Sequence, residues 1–164
     1  MDELVQFVKG RSEKGLAIDI GKAVSTTSLN LLSNTFFSMD FASYDSSDSK
    51  EFTELARNLS ELTATPNVSN FFPLLRCLDL QGVRRRQTVY FRKMMGFFEQ
   101  IIDERLKNQT DAKEDVLDTL FKLVNEGDLT LDDLKHLLVD LFIAGTDPTS
   151  STVEWAMTEL LRYP

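Results

Sequence analysis

Apolar residues recur at spacings of three and four along almost the whole chain, the period of helices that bury one face. Residues 2–12 place Leu4, Val5 and Val8 together and run into Gly15, a helix stop signal. A second segment spans 20–39, with Leu29, Leu32, Phe36 and Phe37 as its predicted core face. From 23 to 39 it carries no charged residue, yet nine of these seventeen positions are Ser, Thr or Asn. That polar content argues against a membrane span and for a helix enclosed on most sides by protein. A polar loop is expected at 44–49, after which Phe52, Leu55, Leu59 and Leu62 mark a third helix that stops before Pro66.

Residues 63–81 contain two of the four prolines and the apolar cluster Phe71, Phe72, Leu74 and Leu75, and read as a long, partly buried connection. Connections of that length often form functional lids. A fourth helix is expected over 83–107, striped by Val83, Tyr90, Met94, Phe97, Phe98, Ile101, Ile102 and Leu106, with Arg84, Arg85, Arg86, Arg92 and Lys93 outside. A shorter one over 111–125 turns Val116, Leu117, Leu120 and Leu123 inward and ends at Gly127. Thr130 and Asp133 then resemble a capping box, and the pattern continues to Arg162, ~50 Å at 1.5 Å per residue.

The last segment is interrupted once, at Gly145, Thr146, Asp147 and Pro148. Pro148 cannot donate to the carbonyl of Ala144, and it steers Asp147 away from helical dihedrals. One reading is a plain junction of two helices, with Asp147 as N-cap and Pro148 at the first helical position. The other is a single kinked rod, favoured because the apolar period resumes in register at Val153, Ala156, Met157 and Leu160. In the rod, a mid-helix glycine, hydroxyls flanking a carboxylate and a freed carbonyl make a polar notch able to hold water, oxygen or a ligand. Asp147, if buried there, is a candidate proton carrier.

Composition narrows the chemistry. The 164 residues carry 18 Lys and Arg against 26 Asp and Glu, a net charge of −8, with no basic surface large enough for nucleic acid. With one cysteine, Cys77, and one histidine, His136, the chain alone can build no disulfide framework, structural zinc site or nucleophilic triad. No secretory signal or transmembrane anchor is recognisable, and the sequons at Asn58, Asn67 and Asn108 read as chance matches. Gly145 to Pro148 lacks the ending of a phosphate loop. Arg84, Arg85 and Arg86 read as a solvated face, His136 as a surface residue, and Trp155, Met94 and Met95 as core.

Residues Ala144 to Met157 match the form Ala-Gly-Thr-Asp-Thr-Thr-Ser-Ser-Thr-Val-Glu-Trp-Ala-Met at thirteen of fourteen positions, and so resemble the long central helix of plant cytochromes P450. Asp19-Ile20-Gly21, the run Thr26 to Thr35, Asp79 to Arg86 and Ile102 to Leu106 resemble the geraniol hydroxylase branch of that family. The resemblance implies an all-α partial fold of six helices, the family's D to I, in one domain over 1–164, with the kinked central helix last. It implies haem as the parent's cofactor, a small apolar substrate such as a monoterpenol, an NADPH-dependent reductase as partner, and the cytosolic face of the endoplasmic reticulum as the parent's location. By the same resemblance Asp147, Thr146 and Thr149 are the candidate catalytic residues. Ala144 and Gly145 would face haem, and Phe142, Phe71 and Phe72 would line or roof the substrate pocket.

Two departures matter. The family's residue after the acid is normally Thr, and here it is Pro148, with Thr149 ~100° further around the helix. The family's Cys loop has no counterpart, because Cys77 stands in Leu74-Leu75-Arg76-Cys77-Leu78-Asp79. The chain is therefore expected to be a fragment that binds neither haem nor metal, is inactive and cytoplasmic by itself, and tends to associate through faces built for a missing half. The alternative is a non-catalytic all-α interaction module.

Overall fold

The computed structural model describes residues 2–42, 49–72, 74, 79–107 and 114–163, and every regular element among them is helical. The helices are α1 (Asp2–Glu13), α2 (Ile20–Phe37), α3 (Ser49–Ala64), the single turn α4 (Val68–Phe71), α5 (Val83–Lys107), α6 (Val116–Glu126) and α7 (Leu131–Arg162). The six long ones correspond to the six read from periodicity. Most of the expected polar loop, together with Leu75, Cys77 and Asn108, lies outside the described residues.

Helix ends follow local chemistry. Asp19 accepts from the Lys22 N–H to start α2, and Asp115 accepts from the Asp118 N–H to start α6. Gly127 ends α6 at φ 86°, a left-handed conformation that a Cβ would penalise. Thr130 and Asp133 form the expected capping box on α7. Hydrogen bonds from the Thr130 side chain and backbone hold the Asp133 carboxyl below its usual value. That exposed cap is complete above the ordinary carboxylate range and fades as pH falls through the lowered pKa. Helix α2 stops two residues earlier than expected, because Ser38 turns left-handed at φ 54° and its N–H returns to the Asn34 carbonyl.

The core lies between α2, α3, α5 and α7. Phe36, Phe37, Phe41, Phe52, Phe97 and Phe98 gather around Phe142, whose ring centroid is 5.1 Å from Phe98 and 5.6 Å from Phe37. Edge-to-face and offset contacts of this kind add about 0.5–1.5 kcal/mol per pair beyond the burial itself. All four residues that marked the third helix are buried, as are Val83, Met94, Phe98 and Ile102 on α5. Helix α1 differs: it has no buried residue, and Val5 and Val8 remain exposed.

The largest helix pair is α2 on α7. Gly21 lies beside Glu154, Leu32 beside Gly145, and Phe37 against Phe142, so the two run antiparallel. A Cβ on Gly145 would stand 2.7 Å from Leu32 Cδ1, and one on Gly21 would stand 2.6 Å from a Glu154 carboxylate oxygen. The axes approach closely because each helix puts a glycine at a contact point. The hydroxyls of α2 fit this interface by bonding to their own helix: Thr27 donates to the Ala23 carbonyl, Ser33 to that of Asn30 and Thr35 to that of Leu31. Asn30 closes the turn after α2 by donating to the Ala42 carbonyl and accepting from its N–H. These bonds explain how a segment so rich in Ser, Thr and Asn can be buried without charge.

A second node joins the ends of α2, α5 and α6. Arg105 donates to Asp115 at 2.8 Å, to Asp118 at 3.0 Å and to the Phe37 carbonyl at 2.9 Å, and Ser38 Oγ donates to Asp115. Burial alone would lower the Arg105 pKa, but the hydrogen bond and charge of Asp115, joined by Asp118, hold it above its ordinary value. The node also holds Ser38 in its unfavourable backbone conformation.

Two stability outcomes follow. Gly145→Ala should lower stability by about 1–2 kcal/mol despite the better helix propensity of alanine, and Leu32→Ala introduced beside it should recover part of the loss, a coupling visible in a urea double-mutant cycle. Arg105→Met should cost about 3 kcal/mol in the same assay, since it strands two enclosed carboxylates.

Candidate active site on the long helix

Helix α7 passes unbroken through Gly145 and Pro148, so the single-rod reading holds and the two-helix junction does not. Asp147 is accordingly an interior residue, and Thr130 is the cap. Continuity is possible because Pro148 lies on an exposed part of the helix, away from the packed stripe of Leu134, Leu138, Val139, Phe142, Thr146 and Ser150.

The expected site residues separate by face. Phe142 and Thr146, one turn apart, both belong to the packed stripe: Phe142 is sealed inside the aromatic cluster, and Thr146 is 2% exposed. Gly145 faces Leu32 on α2. Ala144 and Thr149 are exposed, and Asp147 is half-buried. Of Phe142, Ala144, Gly145 and Thr146, then, Ala144 alone is exposed, because Phe142 and Thr146 are packed inside and Gly145 meets Leu32. Phe71 and Phe72 lie on the surface, 73% and 60% exposed, and do not form one wall with the enclosed Phe142.

Hydrogen bonding refines the picture. Pro148 leaves the Ala144 carbonyl without its helical donor. Ser150 Oγ donates to the carbonyls of Thr146 and Asp147, both at 3.0 Å, and Thr152 Oγ1 donates to that of Pro148 at 2.7 Å. Those hydroxyls are engaged by their own helix. Thr146 Oγ1 is different: it is buried and finds no partner among the described residues. The Asp147 carboxylate forms no hydrogen bond or ion pair among the described residues, and its half-buried position leaves it open to water.

Further residues complete the correction. Trp155, expected in the core, is 68% exposed, and Leu160, Leu161 and Tyr163 are exposed with it, because no described residue covers that side of the last turns of α7. His136 is a surface residue as expected, its Nδ1 2.8 Å from the Asp132 carbonyl. Neither the Gly145–Leu32 contact nor the orphan Thr146 hydroxyl was foreseen. The first depends on which residue of a distant helix meets the glycine. A groove of about 390 Å³ between α1 and α2, lined by Asp2, Glu3, Thr27, Asn30, Leu31, Asn34 and Asp40, includes none of the expected site residues.

These features can be set beside known proteins. The Cytochrome P450 family model matches residues 1–164. Cytochrome P450 monooxygenase 76AD131 of Lophophora williamsii is 50% identical over 99% of the chain and 34% of its own length. Inactive cytochrome P450 76AD1 of Beta vulgaris is 47% identical over the whole chain and 40% of its own length. Geraniol 8-hydroxylase of Swertia mussotii is 44% identical, again over the whole chain and 34% of its length. The chain belongs to the cytochrome P450 family. Its relatives include plant geraniol 8-hydroxylases, in keeping with the branch read from the motifs, and it spans about a third of the length of the curated relatives it matches.

Haem is the family's prosthetic group, held by a Cys thiolate. The described residues include no cysteine and no group of three or more His, Cys, Asp or Glu placed to hold a metal ion. Ala144 is exposed on α7 together with Leu141, Pro148 and Ser151, which share its face at spacings of three and four, while Thr149 lies ~140° around the helix from it. The small side chains of Ala144 and Ser151 on that face fit a flat group laid against the helix, and the described residues hold no ligand for its iron. No described helix is long and apolar enough to cross a membrane.

The buried orphan hydroxyl gives a direct test. An unpaired buried hydroxyl costs about 1–3 kcal/mol, so Thr146→Val should raise the urea midpoint, by about 1 kcal/mol of stability. A fall in the midpoint would instead reveal a partner such as bound water.

Proposed function

We propose that the chain is the central-helix portion of a haem-dependent monooxygenase, a protein that inserts one oxygen atom of O2 into a small apolar substrate, of which a monoterpenol is the candidate, with electrons from NADPH through a reductase. The observation that carries this reading is the unbroken α7, with Ala144 exposed and Asp147 half-buried beside it, in a chain matched throughout by the family model. Haem, ligated elsewhere in the whole protein, supplies the oxygen-activating chemistry. Ala144 offers the flat contact, while Asp147 takes a proton from water and holds it at its carboxylate. Phe71 and Phe72 are the proposed pocket roof, a role that requires further chain to enclose them. The 164 residues alone are proposed to bind no haem and to be inactive. Location at the cytosolic face of the endoplasmic reticulum is proposed for the parent, and a cytoplasmic one for the chain alone.

Pro148 sets the efficiency of this arrangement. It supplies neither N–H nor hydroxyl, and Thr149, ~100° further around, does not replace what a threonine at 148 would present. Proton delivery then rests on Asp147 and water. A non-catalytic interaction role is the second reading, favoured by the exposed Trp155, Leu160, Leu161 and Tyr163 and by the existence of an inactive relative at 47% identity.

In the whole protein, assayed with geraniol and a plant reductase, Pro148→Thr should raise product formed per O2 consumed, and Asp147→Asn should lower it by about tenfold or more, the scale of a lost general acid. The measurement is peroxide released against product formed. An unchanged ratio in Pro148→Thr with activity lost in Asp147→Asn would make Pro148 a tolerated kink. Indifference to both would remove the proton-carrying role, and absence of any hydroxylated product would favour the interaction reading.

A further inference from the structure

The start of α5 is unlike the rest of the molecule. From Val83 to Phe98 it carries Arg84, Arg85, Arg86, Arg92 and Lys93 and no acidic residue, in a chain of net charge −8. Residues 84–89 are all exposed, so one and a half turns of helix are bare on every side, with Val83 alone buried at their head. The side chains of this turn pack on no described neighbour, and what holds its start is Asp79, whose carboxylate accepts from the N–H groups of Arg84 at 3.2 Å and Arg85 at 3.0 Å. Cations in a first turn oppose the helix dipole, and that single carboxylate offsets them.

Thr88 sits in this segment. It is exposed, and its Oγ1 donates at 2.9 Å to the Arg84 carbonyl, which leaves the oxygen lone pairs open to solvent. Arg84 and Arg85 precede it by four and three residues and Arg92 follows by four, the spacings that bring side chains onto one helix face. The Arg86 guanidinium is engaged differently, donating to the carbonyls of Gln81 and Gly82. Arg84, Arg85 and Arg92 form no ion pair among the described residues.

We propose that Thr88 is a phosphorylation site for a protein kinase that reads basic residues upstream of its target. The run Arg84, Arg85 and Arg86 presents three cations to the acidic pocket of such a kinase, and the exposed turn takes up the extended form the kinase requires once it is released from the Asp79 cap. In the transfer, Thr88 Oγ attacks the γ-phosphorus of ATP. The new O–P bond forms as the bond from that phosphorus to the bridging oxygen breaks, ADP leaves with the electron pair, and the hydroxyl proton goes to the kinase's catalytic base. The product dianion is then held by Arg84, Arg85 and Arg92, which turns a self-repelling turn into a clamped one.

The test uses the 164-residue chain with a basophilic serine/threonine kinase and ATP, read by intact mass and by fragmentation. One phosphate mapped to Thr88 is expected, none in Thr88→Val, and an initial rate about tenfold lower in Arg85→Ala, equivalent to ~1.4 kcal/mol of recognition. Circular dichroism of both variants should match the parent, since both sites are exposed. Hydrogen exchange gives the independent readout: amides of 84–92 should slow on phosphorylation, and the slowing should vanish in an Arg84→Ala, Arg92→Ala double variant. Phosphate on another residue, a rate indifferent to Arg85, or faster exchange after phosphorylation would overturn the proposal.

Discussion

The close antiparallel contact of α2 and α7 is the constraint from which most of the structure follows. Two glycines, one on each helix, let the axes approach until Leu32 and the Glu154 carboxylate fill the space a side chain would occupy. The polar residues of α2 are short, and Thr27, Ser33 and Thr35 turn their hydroxyls back on carbonyls of their own helix. The same approach brings Phe36 and Phe37 against Phe142 and makes a seven-ring cluster the centre of the core. A larger residue at 145 would separate the helices and loosen those rings together, because close-packed interiors transmit strain rather than absorb it.

Once α2 fixes one side of α7, every position of the family motif is assigned a face. Residues 142, 145 and 146 pack inward, and 144, 148 and 149 stay outside. The motif is therefore two interleaved sets, one that builds the fold and one that remains for chemistry. Its string of hydroxyls looks uniformly functional in one dimension, yet Ser150 and Thr152 turn theirs to helix carbonyls and Thr146 is enclosed without a partner among the described residues. Asp147, at the border between the sets, is half-buried and within reach of water.

Much of this was legible in the sequence, and the failures share a cause. Periodicity located the long helices and most of their buried faces: Leu29 and Phe37, the four apolar markers of α3, and the alternate large residues of α5. Helix ends were readable at Thr130 and Gly127 because those residues act over three or four positions, whereas the cap at Asp19 is a finding of the structure. What periodicity cannot supply is the identity of the neighbour. Leu160 continues the apolar period of Val153, Ala156 and Met157 and lies exposed, as does Trp155, and Val5 and Val8 of α1 lie exposed as well. Arg105 was visible only as part of a family-like string, because its partners Phe37 and Asp115 are 68 and 10 residues away. Likewise the split of Ala144 from Gly145 depends on Leu32 of another helix.

Pro148 shows how such an assignment of faces governs what a helix tolerates. A proline in a helix interior costs roughly 3 kcal/mol through a lost hydrogen bond and a clash with the carbonyl four residues back. At 146 or 150, on the packed stripe, the displaced carbonyl would be driven into the core, with no water to satisfy it. At 148 the affected carbonyl belongs to Ala144, which is exposed, so the cost is limited to hydrating one group and adjusting one turn. The helix accordingly runs on to Arg162 with its packing against α2 intact on both sides of the proline, as far as Glu154. The consequence of the substitution falls on the open face, where the proton path would run, and leaves the core untouched. A residue that looks in sequence like a helix breaker is in the folded chain a change of surface chemistry.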